Sequence, residues 1–235
     1  MSTIGPTRTN DEATEGPKWR PLDRIQRRVT GVLVEKAKTT PENYPLSLNA
    51  ITTGSNQKSN RSPQMDLDPS DVELALEELR EMGAVVEIQG DGRVPKYKHC
   101  LYEWLGVDKV EMAVMAELML RGEQTVGELR GRAGRMEPIA DLAALKPVLQ
   151  SLIQKKLVIS LTPEGRGQVV THGLYQPNEM EKVNARATEI SESASSRPPP
   201  SQRGPEGAVS SLREEMAELR QELAQLRERL DILES

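Results

Sequence analysis

The chain has 235 residues, one cysteine and a formal net charge of -5. This length allows two domains of ordinary size with tails, and a lone Cys100 excludes an internal disulfide framework. No segment has the roughly 20 consecutive apolar residues that cross a bilayer, and the polar N-terminus contains no secretory signal. We therefore expect a cytoplasmic protein without membrane contact, and residues 1–20, rich in Thr, Gly and Pro, to be a disordered tail.

Charge is nearly balanced over the part of the chain that is expected to fold. Residues 22–102 carry 11 basic and 12 acidic side chains, and residues 103–178 carry nine of each. Neither segment is a basic domain of the kind that grips nucleic acid without regard to sequence. The acidic excess lies mostly in residues 209–235, with four basic and seven acidic side chains.

The first predicted domain spans residues 21–102. Apolar residues at helical spacing predict a helix from Leu22, and a second short helix follows with Ser47 as its N-cap. Asp68, followed by a proline, begins a third helix, which Gly83 closes before a β-hairpin. Three helices followed by a hairpin is the order of a winged helix.

The second predicted domain, residues 103–177, has the same order. Thr125 and Glu128 form the T-x-x-E pattern of a capping box at the start of its second helix. Its third helix begins near Asp141, but Pro147 lies inside the apolar pattern. We expect either a kink there or a helix that starts later.

The two domains repeat one apolar pattern. Residues 72–88 and 145–161 match at a constant offset of 73, each running from a helical apolar face into a β-branched strand. The predicted class is mainly α with small β-hairpins (α+β): tandem winged-helix domains followed by a C-terminal coiled-coil helix. Such a duplication is more typical of macromolecular recognition than of catalysis.

Residues 178–207 are predicted to be a Pro/Ser/Gly-rich linker, with a few helical turns at its start, and residues 208–235 a coiled coil. Charged residues that face each other between parallel copies are of opposite sign, which favours a homodimer. A single amphipathic helix packed on its own chain is the alternative, and trimeric or antiparallel forms stay open. The apolar heptad positions are Val209, Leu212, Met216, Leu219, Leu223, Leu226, Leu230 and Leu233.

Residues suited to catalysis are few. His99 and Cys100 are neighbours on a predicted strand, so their side chains point to opposite faces, and His172 is the only other imidazole. The chain has no phosphate-binding loop, nucleophile elbow or dinucleotide fingerprint, and too few ligands for a zinc site. We expect no enzyme activity, metal or cofactor.

Candidate contacts to DNA or to a protein partner lie outside the third helices, because the third helix of the first domain is acidic and would repel phosphate. A polar loop combines amide and cationic donors, although the same residues could simply satisfy turn backbone. Arginines at the end of a helix, which also complement its dipole, and basic residues of the two hairpins complete the set. These candidates are Asn56, Gln57, Lys58, Asn60, Arg61, Arg93, Lys96, Arg130, Arg132, Arg135 and Arg166.

Two runs resemble a known family. Glu35 to Pro63, EKAKTTPENYPLSLNAITTGSNQKSNRSP, and Leu118 to Met136, LMLRGEQTVGELRGRAGRM, are similar to the YceH-like family of uncharacterised bacterial proteins. The resemblance covers residues 22–175 and implies a tandem winged-helix fold in a bacterial cytoplasmic protein, with no established activity. It does not extend to the predicted zipper.

Two hypotheses for function follow. The first is a dimeric DNA-binding, transcription-regulator-like protein, which rests on analogy from the fold. The second is a protein–protein interaction adaptor that uses the winged-helix pair as a scaffold and makes no DNA contact.

Overall fold

The structure, a computed structural model, describes residues 18–89 and 94–195. It is mainly helical with two small antiparallel sheets, which confirms the predicted α+β class at this level. The described residues up to Ser191 form one compact unit, and Glu192 to Ser195 belong to another. The zipper positions from Val209 to Leu233 lie outside the described residues.

The first half begins with α1. This helix starts at Arg24, after the N-cap Asp23, and not at Leu22 as predicted. The Asp23 carboxylate accepts hydrogen bonds from the backbone N–H groups of Ile25 and Gln26, which fixes the helix start two residues later. The predicted cap at Ser47 and the left-handed Gly83 after the third helix are both confirmed. The elements are α1 Arg24–Thr39, β1 Leu46–Ser47, α2 Leu48–Ser55, α3 Pro69–Glu81, β2 Val85–Ile88, β3 Lys96–His99 and α4 Leu101–Leu105.

The second half repeats this order, and its final helix is longer than that of the first. The predicted capping box between Thr125 and Glu128 is confirmed, and Asp141 caps α7 directly, so the later helix start considered for Pro147 is wrong. The segment predicted as a linker begins with helix α8. The elements are α5 Lys109–Arg121, β4 Gln124–Thr125, α6 Val126–Ala133, α7 Leu142–Gln154, β5 Val158–Ser160, β6 Val169–His172 and α8 Pro177–Ser195.

Each half contains a three-stranded antiparallel sheet in which the last strand lies in the middle, in the orders β1-β3-β2 and β4-β6-β5. The registers are equivalent, because Val85 pairs with His99 and Val158 with His172. The two hairpins are therefore related by the same offset of 73 residues as the helices before them.

The halves share one hydrophobic core, built around α1 and α5. Every residue of α5 from Glu111 to Leu120 is buried, so this helix is surrounded by protein on all sides. Gly31 on α1 allows the close approach, because a Cβ there would lie 2.9 Å from two side-chain carbons of Leu120. Backbone hydrogen bonds from Leu22 to Leu174 and from Ser62 to Leu120 also join the halves.

His99 and His172 occupy equivalent places at the ends of the central strands. Both are buried, and each contacts a tyrosine three residues later, Tyr102 and Tyr175. Burial lowers the pKa of His99 to about 4 and that of His172 to about 3, so both rings are neutral in the folded protein. These side chains therefore belong to the interior of each half.

In each half, the residue that follows the central strand packs against the turn that follows the third helix, and glycine occupies a different one of these two places in each half. In the first half the second residue after the third helix is Gly83, with φ 73°, and the residue after the central strand is Cys100. In the second half these places are held by Lys156, with φ 59°, and Gly173. A Cβ on Gly173 would lie 2.1 Å from the Lys156 carbonyl oxygen, so only glycine fits there.

Candidate functional site

The loop between α2 and α3, residues 56–67, is longer than its counterpart between α6 and α7, residues 134–140. Asn56 closes this loop. Its Nδ2 donates to the Leu67 carbonyl oxygen at 2.8 Å, and its Oδ1 accepts from the Leu67 N–H at 2.9 Å. The side chain of this predicted contact residue therefore serves the loop itself.

Arg61, predicted as a phosphate contact, is buried with no side-chain exposure. Its guanidinium pairs with Glu35 on α1 at 2.6 Å and donates to the Gly54 carbonyl oxygen at 2.9 Å and to Gln57 Oε1 at 2.8 Å. Arg61 is therefore not the accessible cation that the sequence predicted. The residues next to it in the sequence do not indicate that Glu35 of α1 pairs with it. Arg61 anchors the loop to α1.

A second ion pair holds the loop against α5. Glu117, 2% exposed, pairs with Arg121 one helical turn later, and Arg121 also donates to Asn60 Oδ1. Asn60 itself adopts a left-handed conformation with φ 62°, which asparagine tolerates better than most residues. The exposed stretch Lys58–Asn60 is consequently fixed at the junction of the two halves.

The predicted arginines of α6 divide by role. Arg130 donates to the carbonyl oxygen of Ala140 at 2.8 Å and so ties down the loop before α7. Arg132 donates to Gln124 Oε1 at 2.7 Å and lies 3.4 Å from Glu128, yet its side chain stays 36% exposed. Arg135, after the helix, is exposed.

These segments enclose a cleft of about 560 Å³ between the halves. Five of the predicted residues line it, and Lys36 on α1 is the cation that the sequence reasoning missed. Helical spacing showed which face of α1 is apolar, but not which polar residues face the other half. The lining residues are Glu35, Lys36, Thr39, Gln57, Lys58, Ser59, Asn60, Glu117, Arg132, Arg135 and Met136.

A neighbouring depression of about 410 Å³ shares Lys36 with the cleft and is lined at its other side by Lys96 on β3. Five cations therefore line the two adjoining depressions. We call them the cationic strip: Lys96, Lys36, Lys58, Arg132 and Arg135.

The two carboxylates that line the cleft are already neutralised. Glu35 pairs with buried Arg61 and Glu117 with Arg121, so neither leaves a free negative charge facing the strip. Lys36 lies farther from Glu35, at 3.8 Å, and its side chain is 25% exposed. The cleft thus presents a positive surface with amide donors from Gln57 and Asn60 beside it.

The other predicted contacts lie apart or are not described. Arg166 lines a different groove, formed by α6, α7 and the hairpin of the second half, and Arg93 lies outside the described residues. Within residues 18–89 and 94–195, no group of three or more His, Cys, Asp or Glu side chains could hold a metal ion. In the same ranges, no helix is long and apolar enough to cross a membrane.

Comparison with known proteins places this architecture in a family. The family described as "Protein of unknown function, DUF480" matches residues 22–167. UPF0502 protein RB6530 of Rhodopirellula baltica is 51% identical over 212 residues, which cover 87% of this chain and 90% of the relative. A UPF0502 protein of Geotalea daltonii is 52% identical over 134 residues, covering 57% of this chain and 62% of the relative.

UPF0502 protein GSU0233 of Geobacter sulfurreducens is 50% identical over 134 residues, covering 57% of this chain and 61% of the relative. The family match contains α1 to α7, and with them the loop and the three helices, α1, α5 and α6, that form the cleft. The chain belongs to the DUF480 family, whose bacterial members include these UPF0502 proteins.

Proposed function

We propose that this protein is a tandem winged-helix protein that binds nucleic acid through the cationic strip. The observation that carries the proposal is the convergence of cations from α1, the loop 56–67, β3 and the end of α6 on two adjoining depressions. Lysine and arginine side chains gathered on one surface are suited to contacts with backbone phosphates. Nearby amide groups add donors and acceptors for base edges or sugars.

The acidic helix α3 supports a binding mode in which the strip, and not this helix, makes the main contacts. The exposed side chains of α3 include Glu73, Glu77 and Glu81, which would repel a phosphate backbone. A duplex laid on the strip would contact both halves at their junction and leave α3 outside the interface.

The C-terminal heptads extend the proposal to a dimer. A parallel coiled coil over residues 208–235 would present two copies of the strip, and two linked sites bind a long ligand more tightly than one. The resemblance to the YceH-like family agrees with a winged-helix scaffold but supplies no ligand.

Fluorescence anisotropy with a labelled DNA duplex tests the proposal, titrated at several salt concentrations. Each phosphate contact contributes a slope of about -0.9 to the dependence of log K on log salt concentration, so full use of the strip gives a slope of about -4 to -5. Lys58→Ala and Arg135→Ala should each weaken binding several-fold and reduce the slope by about one. Lys182→Ala, an exposed lysine on α8, is the matched control and should leave the slope unchanged.

The absence of binding at about 50 mM salt, or equal losses in all three variants, would refute nucleic-acid binding through the strip. The adaptor hypothesis predicts that negative result. It is favoured by one observation: Leu74 on the acidic helix α3 is 58% exposed, as an apolar contact to a protein would be.

A further inference from the structure

The second half contains an apolar groove that the nucleic-acid proposal does not use. It encloses about 530 Å³ between α6, α7 and the hairpin that joins β5 to β6. Its apolar lining comes from Val126, Leu142, Leu149 and Ile153, with Lys146 and Arg166 at the rim. We call this surface the apolar groove.

The apolar side chains of α7 that line the groove are not required by the core. Leu142 is 53% exposed and Ile153 is 39% exposed, whereas the core residues of the same helix are buried. At the offset of 73, the equivalent positions on α3 are Pro69 and Arg80. The same scaffold therefore folds with a helix-starting proline and an arginine at these two places, so the fold does not require the exposed Leu142 and Ile153, and both are available for a contact.

The wall opposite α7 is glycine-rich. Gly127 on α6 and Gly165 and Gly167 in the hairpin line the groove, and a Cβ added at any of the three would meet no atom within 4 Å. The space above these backbones is open, so an incoming side chain can lie against them.

The rim of the groove carries a surplus of positive charge. Lys146 reaches across it to Glu164 at 2.6 Å, with both side chains about 60% exposed, and this pair is neutral as a whole. Arg166, exposed on the hairpin, adds an uncompensated cation to the residues that line the groove. A ligand with apolar anchors and a flanking carboxylate would complement this surface.

We propose that the apolar groove binds an amphipathic helix of a partner protein, with two or three apolar side chains on one face and acidic residues beside them. The volume suits a few aliphatic side chains at i, i+3 or i+4 and i+7 spacing, the usual pattern of a helix in a groove. A nucleic acid is disfavoured by the apolar lining. A second copy of the groove is disfavoured because like charges would face each other at Arg166.

Two labelled synthetic helical peptides of about 14 residues test the proposal against the full-length protein. Both carry leucines at i, i+3 and i+7, and they differ only in flanking residues, glutamate in one and lysine in the other. The glutamate peptide should bind at least tenfold more tightly than the lysine peptide by fluorescence anisotropy. Equal affinities, or no binding of either peptide, would overturn the proposal.

Variants locate the contact on the protein. Leu142→Ser and Ile153→Ser should each weaken binding of the glutamate peptide at least tenfold, and Leu74→Ser, an exposed apolar residue of the first half, should leave it unchanged. Arg166→Glu lies on an exposed loop where folding is not at risk, and it should reverse the preference between the peptides. An unchanged preference in that variant, or a loss in the Leu74 control equal to that at Leu142, contradicts the assigned groove.

Discussion

Gly173→Ala should destabilise the second half strongly, although Gly173 has an ordinary φ and lies at the end of a strand. The added Cβ would lie 2.1 Å from the carbonyl oxygen of Lys156 and 3.1 Å from its carbonyl carbon. Favourable contacts between heavy atoms begin near 3.5 Å, so the backbones must separate by about 1 Å or more. The hydrogen bond from the Gly173 N–H to the Leu157 carbonyl oxygen, at 2.7 Å, opposes that movement.

The expected loss follows from these two terms. Forcing an extra carbon into a packed site costs about 1–3 kcal/mol, and weakening one backbone hydrogen bond costs about 1 kcal/mol more. Together they give about 2–4 kcal/mol, a large part of the 5–15 kcal/mol by which domains are usually stable. Urea unfolding followed by circular dichroism measures this as a fall in the midpoint.

Cys100→Ala is the matched control, because Cys100 occupies the equivalent place in the first half and already has a Cβ. Its N–H donates to the Ala84 carbonyl oxygen at 2.8 Å, as in the second half, and removal of the sulfur from a partly exposed site should cost about 1 kcal/mol or less. If Gly173→Ala and Cys100→Ala unfold at the same urea concentration, the steric argument is wrong.

A lower pH and the substitution Arg61→Met should each reduce the stability of the fold. Burial lowers the pKa of His99 to about 4 and that of His172 to about 3. In the unfolded chain both rings bind a proton below about pH 6.5. The free energy of unfolding should therefore fall as the pH drops below about 6.5, by up to about 1.4 kcal/mol per pH unit for each ring. Urea midpoints between about pH 7 and pH 5 should show this fall, and His172→Gln should reduce its slope by about half. Arg61→Met should cost about 3 kcal/mol, because it leaves Glu35 in a partly buried place without its cation.

Each of these expectations has its own check. A stability that stays constant from about pH 7 to pH 5 would show that the histidines are protonated in the folded protein. For Arg61→Met, the added change Glu35→Gln should recover part of the loss, since the unpaired carboxylate is then removed. A double variant that is no more stable than Arg61→Met places the cost in the lost hydrogen bonds to Gly54 and Gln57 instead.

The third helices and hairpins could be predicted from the sequence because their patterns are local. Asp68 and Asp141 begin α3 and α7 as expected, and both helices have the same length. A capping aspartate, a helical apolar face and a β-branched strand are each recognised within a few residues. The agreement between the two copies strengthened every such assignment.

Features that depend on contacts between distant segments were missed. The strands β1 and β4 have two residues each, and they exist only because the central strands pair with them. The burial of α5 from Glu111 to Leu120 likewise depends on a distant segment, because α1 of the first half packs against this helix.

In the candidate site, too, the surroundings of single side chains depend on distant segments and could not be predicted from the local sequence. Lys58 and Arg61 are close in the sequence and chemically alike, yet one is exposed and the other has no exposed side-chain surface. The difference arises from Glu35, more than twenty residues away on α1. Lys36 entered the cleft for the same reason: the turn of α1 that faces the second half cannot be identified before the halves are packed.

The common core around α1 and α5 holds together the two halves that carry the cationic strip. With Gly31 packed against Leu120, and Lys38 paired to Glu137 at 2.7 Å, the first half cannot swing away from the second without breaking the interior of both. Under the proposed function, the backbone that carries the strip is therefore ordered before nucleic acid binds, and the conformational entropy lost on binding is mainly that of the lysine and arginine side chains.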